Sequence, residues 1–284
     1  MKVAFVGGGN MASAIIGGLI ATGRSAREFI VVEPNEAQRA ALRDRFGVVT
    51  LPVADDSIRL AELIVIAVKP QQMREAAKAL KPLPADATVM TIAAGIRLAD
   101  LSRWLGGHTG LIRAMPNTPA LIHQGITGLY APPGVPDAAR QAANSLMTAV
   151  GQTLWLADEA LLDAVTAVSG SGPAYVFYAI EAVQAAGEKL GFSAQEARAL
   201  TLQTFVGAAA LAAQSADPPS VLRDRVTSKG GTTERALNTL EAADVKARII
   251  DAVSAACDRS RELGAELGNE PGRDPAVKSE SASC

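Results

Sequence analysis

At the start of the chain a short apolar run, Lys2-Val3-Ala4-Phe5-Val6, passes directly into Gly7-Gly8-Gly9-Asn10-Met11-Ala12 and then into an apolar-periodic stretch. Few folds accept a strand, a G-x-G-x-x-A turn and a helix in immediate succession. The arrangement predicts the first βαβ turn of a dinucleotide-binding sheet. Gly7 permits the tight turn, and Gly9 lacks the Cβ that would collide with a pyrophosphate. Ala12 lets the helix approach the strand, while Asn10 and Met11 open a helix whose free N–H groups attract phosphate. A glycine-rich turn alone is a common structural device. What distinguishes this one is its context, including the acid Glu33 at the end of the next apolar run. A carboxylate there accepts hydrogen bonds from the adenosine ribose 2′-OH and favours NAD over NADP; the alternative is a solvated carboxylate at a strand end. Pro34 and Asn35 follow without a cation and Arg39 is the nearest one, so the choice between NADP(H) and NAD(H) stays open at this level.

The first half alternates β-type runs with helical patterns. Strands are expected at residues 2–6, 29–33, 63–68, 88–93 and 110–115, and helices at 10–22, 36–46, 71–80 and 98–105. The run Leu63-Ile64-Val65-Ile66-Ala67-Val68 is continuously apolar, as a strand covered on both faces reads. Strand and helix alternating at this spacing imply a doubly wound α/β sheet. A further strand pair, 125–130 and 153–156, brackets a helix at 135–149. From Asp158 onward only helical patterns remain. One opens at Gly172-Pro173, where Pro suits the first turn; another opens at Ser193 with Glu196 three residues on, a capping box. The expected division is a Rossmann domain at 1–157, a helical domain at 158–267 and a disordered tail at 268–284. The helical part is rich in Ala and poor in large side chains, so a core of about 110 residues gains stability by packing on a second copy. A dimer or a multiple of it is expected.

Composition excludes several classes. With 49% apolar and 20% charged residues and a net charge of −2, nothing suggests wholesale disorder or a general affinity for nucleic acid. Cys257 and Cys284 make neither a disulfide framework nor a metal site, and fit a reducing cytoplasm. Residues 199–216 carry no charge, but their Ala, Thr, Gln and Gly content reads as a buried interface helix, with no membrane span expected.

Other candidates lie at successive strand ends: Ala67-Val68-Lys69-Pro70, then Ala93-Ala94-Gly95, then Met115-Pro116-Asn117-Thr118-Pro119. Each alone is an ordinary turn, yet ligands in open α/β sheets bind beyond the carboxyl ends of strands. Ser169-Gly170-Ser171-Gly172-Pro173-Ala174-Tyr175 and Ser228-Lys229-Gly230-Gly231-Thr232-Thr233 place hydroxyls and small residues at helix N-termini suited to a carboxylate. Neither holds a strong acid or base. His108 and His123 read as surface histidines without partners, Lys69 as a catalytic or cofactor-positioning lysine, and no nucleophile elbow or metal-ligand spacing occurs.

Together these segments resemble the pyrroline-5-carboxylate reductase family from Met1 to about Leu267. The resemblance is carried by Val6-Gly7-Gly8-Gly9-Asn10-Met11, by Arg113-Ala114-Met115-Pro116-Asn117-Thr118-Pro119-Ala120, by residues 169–177 and by residues 228–233. It implies a Rossmann domain and an interlocking helical dimerisation domain. It also implies reduction of 1-pyrroline-5-carboxylate to L-proline by NADPH or NADH, the last step of proline biosynthesis. In that family the loop matching Ser228, Gly230, Gly231, Thr232 and Thr233 holds the substrate, with the Thr233 hydroxyl as hydrogen-bonding partner or proton donor to the ring nitrogen. The segments matching Gly7–Met11, Ala67–Pro70, Ala93–Gly95 and Asn117 contact the dinucleotide. Two positions depart from NADP-preferring relatives, which often carry Ser, Thr or an Asn-Arg pair where this chain has Glu33-Pro34, and an asparagine where it has Ala54. A protonated imine is already electrophilic, so positioning suffices and a catalytic His or Asp is not required. Two rivals are a β-hydroxyacid dehydrogenase, which would use a helical-domain lysine such as Lys189, and a redox-sensing regulator that binds NADP without turnover.

Overall fold

The continuously apolar strands read in the sequence lie at the centre of an eight-stranded sheet in the computed structural model, which describes residues 1–269. In chain order the elements of this part are β1 (Val3–Val6), α1 (Asn10–Ala21), β2 (Phe29–Val32), α2 (Glu36–Phe46), β3 (Val49–Leu51), β4 (Leu63–Ile66), α3 (Met73–Ala79), β5 (Thr88–Thr91), α4 (Leu98–Trp104) and β6 (Leu111–Met115). Then come β7 (Gly125–Tyr130), α5 (Asp137–Thr148), β8 (Gly151–Trp155) and α6 (Leu161–Val165). The strand order is β3-β2-β1-β4-β5-β6-β7-β8. Neighbours are parallel except β6 and β7, which run antiparallel.

Alternation across the pleat explains the apolar runs. Val3 and Phe5 of β1, with Leu63 and Val65 of β4, enter one core together with α1, α2 and α5. Ala4, Val6, Ile64 and Ile66 enter the other with α3 and α4. Every residue of β1, β4 and β5 is therefore buried. Fully burying a side chain such as Phe5, Ile15 or Leu63 contributes about 1.5–3 kcal/mol relative to exposure. Local signals agree with this placement: the Asn35 side chain caps α2 by accepting from the Gln38 amide at 3.1 Å, and Gly47 ends that helix in the left-handed region at φ 67°.

Several expected boundaries move. The strands expected to reach residues 68 and 93 leave the sheet at Ile66 and Thr91, because their last residues turn into the loops beyond the sheet. The expected helix at 71–80 is a 3₁₀ turn at Pro70–Gln72 followed by α3. The short edge strand β3 was not anticipated. The stretch around Ser169 and Gly170, expected at a helix N-terminus, is a π-helical turn at Thr166–Gly170. There Ser169 Oγ donates back to the Val165 carbonyl at 3.0 Å, so its hydroxyl is engaged within the turn.

By compactness the chain forms two units, Met1–Gly170 joined by the segment from Ala256, and Ser171–Ala255. Residues 158–170 and the end of the last helix thus group with the sheet. The second unit holds α7 (Gly172–Lys189), α8 (Ala194–Gln214), α9 (Pro219–Arg225), α10 (Thr232–Ala242) and the start of α11 (Val245–Gly268). The Ser193–Glu196 capping box opens α8 as expected. Helices α7 and α8 pack tightly, since a Cβ on Gly187 would lie 3.1 Å from that of Ala197. Little else in this unit is enclosed: Phe177 is 64% and Leu211 70% exposed. An apolar surface of this extent marks an association face. The tail expected beyond residue 267 falls outside the described residues except for Gly268, which ends α11, and Asn269.

Candidate functional site

The glycine turn sits where the strand order reverses, between β2 and β4 on either side of β1. Backbone bonds fix its base: Gly7 N–H donates to Val32 O at 2.8 Å and Ala67 N–H to Val6 O at 2.7 Å. Gly7 has φ +100°, and a Cβ there would lie 2.8 Å from the Ala67 carbonyl oxygen. Gly9 is different. Its backbone is extended at φ −68°, and a Cβ built on it meets nothing within 4 Å. The fold needs glycine at position 7; at position 9 it leaves open space at the N-terminus of α1, where helix amides lack intrahelical partners.

Glu33 turns back onto this loop. Its Oε2 accepts from Gly8 N–H at 2.9 Å and its Oε1 from Asn35 N–H at 3.0 Å. Gln38, which no sequence signal singled out, donates from Nε2 to Gly8 O at 2.7 Å and so grips the same residue from its other side. Gly7, Gly9, Glu33, Ala67, Val68 and Lys69 line one cleft of about 620 Å³, closed at one side by Pro52, Val53 and the apolar Ala54. The predicted residues Asn10, Met11 and Pro70 adjoin it in sequence as the first residues of α1 and of the 3₁₀ turn.

Beyond the next strand Ala93, Ala94 and Gly95 form a tight loop, with Gly95 at φ +72°. The last turns of α11 brace it: a Cβ on Gly264 would lie 3.2 Å from Gly95 O. Asn117 follows β6, and its Oδ1 accepts from Ile126 N–H at 3.0 Å, joining the end of β6 to the start of β7. Beneath these loops lies a charged centre that sequence reasoning missed. Arg113, 3% exposed, donates to Glu159 at 3.1 Å and faces Asp163 at 3.6 Å. Glu159 also accepts from the first amide of α4, and Asp163 from Ser260 on α11. The available signal was one arginine inside the apolar strand Leu111-Ile112-Arg113-Ala114-Met115.

In the helical unit, residues 228–233 form a tight turn into α10. Gly231 N–H donates to Ser228 O at 3.0 Å, Gly230 has φ +74°, and the Glu234 carboxylate accepts from Gly230 N–H at 2.7 Å. Thr232 and Thr233 begin the helix, where their amides have no intrahelical acceptor. Glu234 is a further residue the sequence reading passed over, although an acid three residues after a helix cap is a known signal. Lys189 lies exposed in the last turn of α7. His108, half-buried rather than on the surface, has Nε2 2.7 Å from the Ala87 carbonyl, and His123 has Nδ1 3.3 Å from that of Ala149. Both are occupied with backbone. Among the described residues there is no His/Cys/Asp/Glu cluster that could hold a metal ion, and no helix long and apolar enough to cross a membrane.

Known proteins repeat this pairing of units. Residues 159–263 match the family model described as pyrroline-5-carboxylate reductase dimerisation. Residues 2–95 match that of the coenzyme F420-dependent NADP oxidoreductases. The pyrroline-5-carboxylate reductase of Pseudomonas aeruginosa is 46% identical over 268 residues, which are 94% of this chain and 98% of that protein. The solved structure of the Coxiella burnetii enzyme superposes with a TM-score of 0.86 at 37% identity, covering 92% of this chain and 98% of that one. The Plasmodium falciparum enzyme, solved with NADP bound, gives 0.83 at 28% identity, over 93% and 98%. With its glycine cradle, its second helical unit and near full-length likeness to these proteins, the chain belongs to the pyrroline-5-carboxylate reductase family.

Proposed function

We propose that the protein reduces 1-pyrroline-5-carboxylate to L-proline with a reduced nicotinamide dinucleotide, NADPH or NADH, as the closing step of proline synthesis. The observation that carries this is the open cradle at Gly9 above the first amides of α1, inside a chain that matches this family along nearly its whole length. The cleft residues fit a dinucleotide: glycine backbone for the pyrophosphate, a carboxylate at the ribose end, and the small Ala67 and Val68 at the end of β4. When bound, the dinucleotide supplies a hydride to the imine carbon. The chain's own tasks are then to bind, to orient and to exclude water. Ser228, Gly230, Gly231 and Thr232 hold the substrate carboxylate at the start of α10, and the Thr233 hydroxyl hydrogen-bonds the ring nitrogen. The nitrogen carries its proton into the product, so the reaction balances as iminium plus hydride giving the secondary amine. We assign the protein a reducing cytoplasmic setting, in keeping with its two cysteines. Self-association through the helical unit, as a dimer or multiples of it, is supported by the exposed apolar residues there and by the family model that covers it.

Oxidation of NADPH or NADH by the purified protein should depend on 1-pyrroline-5-carboxylate and yield proline one for one; no oxidation with either nucleotide contradicts the assignment. Thr233→Val keeps the shape and removes the hydroxyl, and should lower kcat/KM by about 10²–10³-fold. Thr233→Ser should restore most of the activity, and dinucleotide affinity should be unchanged in both. Equal loss in Val and Ser variants would assign Thr233 a packing role instead. At the other end, Gly264→Val pushes on Gly95, and should lower kcat by about tenfold while leaving the dinucleotide Kd within a few-fold, as titration calorimetry would show.

A further inference from the structure

We propose that Glu33 sets the coenzyme: the ribose end of the cleft is built for a free 2′-hydroxyl and against a 2′-phosphate, so the chain prefers NADH to NADPH. This rests on the dinucleotide reading of that cleft. The sequence alone left the matter open, because a glutamate at a strand end can swing into solvent. In the folded chain it is pinned by two backbone amides, Gly8 N–H at 2.9 Å and Asn35 N–H at 3.0 Å, one to each oxygen. Each oxygen keeps acceptor capacity after these bonds, enough to take a ribose hydroxyl. A phosphate monoester brings charge of the same sign and no strong donor.

The cations that could offset that charge are engaged. Arg39 is buried, and its guanidinium donates to the carbonyls of Glu33 at 2.6 Å and Pro34 at 2.7 Å and pairs with Glu36. Arg43 donates to Glu36 at 2.8 Å and to Thr50 Oγ1 at 2.9 Å. Glu36 is accordingly held below the usual carboxylate range, by Arg43 first and Arg39 second. Pro52, Val53 and Ala54, which also line the cleft, carry no side-chain donor. Lys69 is the cation in the cleft lining, and it lies at the end of β4, two strands from Glu33, with Glu75 in the same lining.

Calorimetric titration of the whole protein with NAD⁺ and with NADP⁺ tests this without turnover. The wild type should bind NAD⁺ about tenfold or more tightly than NADP⁺, as one like-charge contact in a half-open cleft implies. Glu33→Gln keeps an acceptor for Gly8 N–H but removes the charge, and should bring the two affinities to within about threefold of each other; Glu33→Ser should move the ratio in the same direction. Tighter NADP⁺ binding by the wild type, or a ratio unchanged in both variants, overturns the proposal while leaving the dinucleotide site intact. Binding of neither nucleotide would overturn the cleft reading itself along with it.

Discussion

Gly9→Val is expected to abolish measurable dinucleotide binding, a loss of at least about 100-fold in affinity, while the protein stays folded. The reason lies in the contrast between two glycines of one turn. At Gly7 the backbone has φ +100° and any Cβ would meet the Ala67 carbonyl and the Val68 side chain within 3.0 Å. Gly7→Ala therefore strains the chain and forces apart the ends of β1 and β4, a cost of about 2–4 kcal/mol. Gly9 is extended, exposed and free of neighbours within 4 Å. A valine there loses no more than about 1 kcal/mol, the cost of an apolar residue at a helix cap. The fold thus gives no steric reason for glycine at position 9, whereas a bound pyrophosphate would give one. Thermal unfolding and NAD⁺ titration of the two variants should separate these roles. Normal nucleotide binding by Gly9→Val would show that the pyrophosphate lies elsewhere.

Arg113→Ala should be the most destabilising polar substitution in the sheet unit, at about 3–5 kcal/mol. The guanidinium is almost wholly enclosed and faces two carboxylates, Glu159 and Asp163. Removing it leaves both acids without their counter-ion, and through them disturbs the start of α4 and the Ser260 contact on α11. The exposed cluster of Arg259 with Glu262 and Glu266 has comparable distances yet should lose far less stability when Arg259 is replaced by Ala, because water and salt screen it. Urea unfolding at one fixed protein concentration gives both values. Similar costs for the two arginines would mean that water reaches the Arg113 centre.

What the sequence made legible follows interaction range. Continuous apolar strands, the glycine turn and the Ser193–Glu196 capping box are written within a few residues of each other, and the structure carries them where expected. The edge strand β3 escaped because three residues, one exposed and two half-buried, leave no period to read. The π-turn at Thr166–Gly170 escaped because one extra residue in a helical turn leaves no mark on composition. The centre at Arg113 joins residues 46 to 97 positions apart, a separation no local pattern spans. The same holds for Gln38, whose grip on Gly8 depends on how α2 returns to the first turn. Glu33 was visible as an acid at the right place; that it is pinned by Gly8 and Asn35, with Arg39 turned to the backbone, needed the folded chain.

The most direct measurement supplies reduced dinucleotide deuterated at the transferable position of nicotinamide C4, with 1-pyrroline-5-carboxylate in ordinary water, and weighs the proline formed. Hydride transfer predicts proline heavier by one deuterium at the former imine carbon. Unlabelled proline, or no proline, would contradict it.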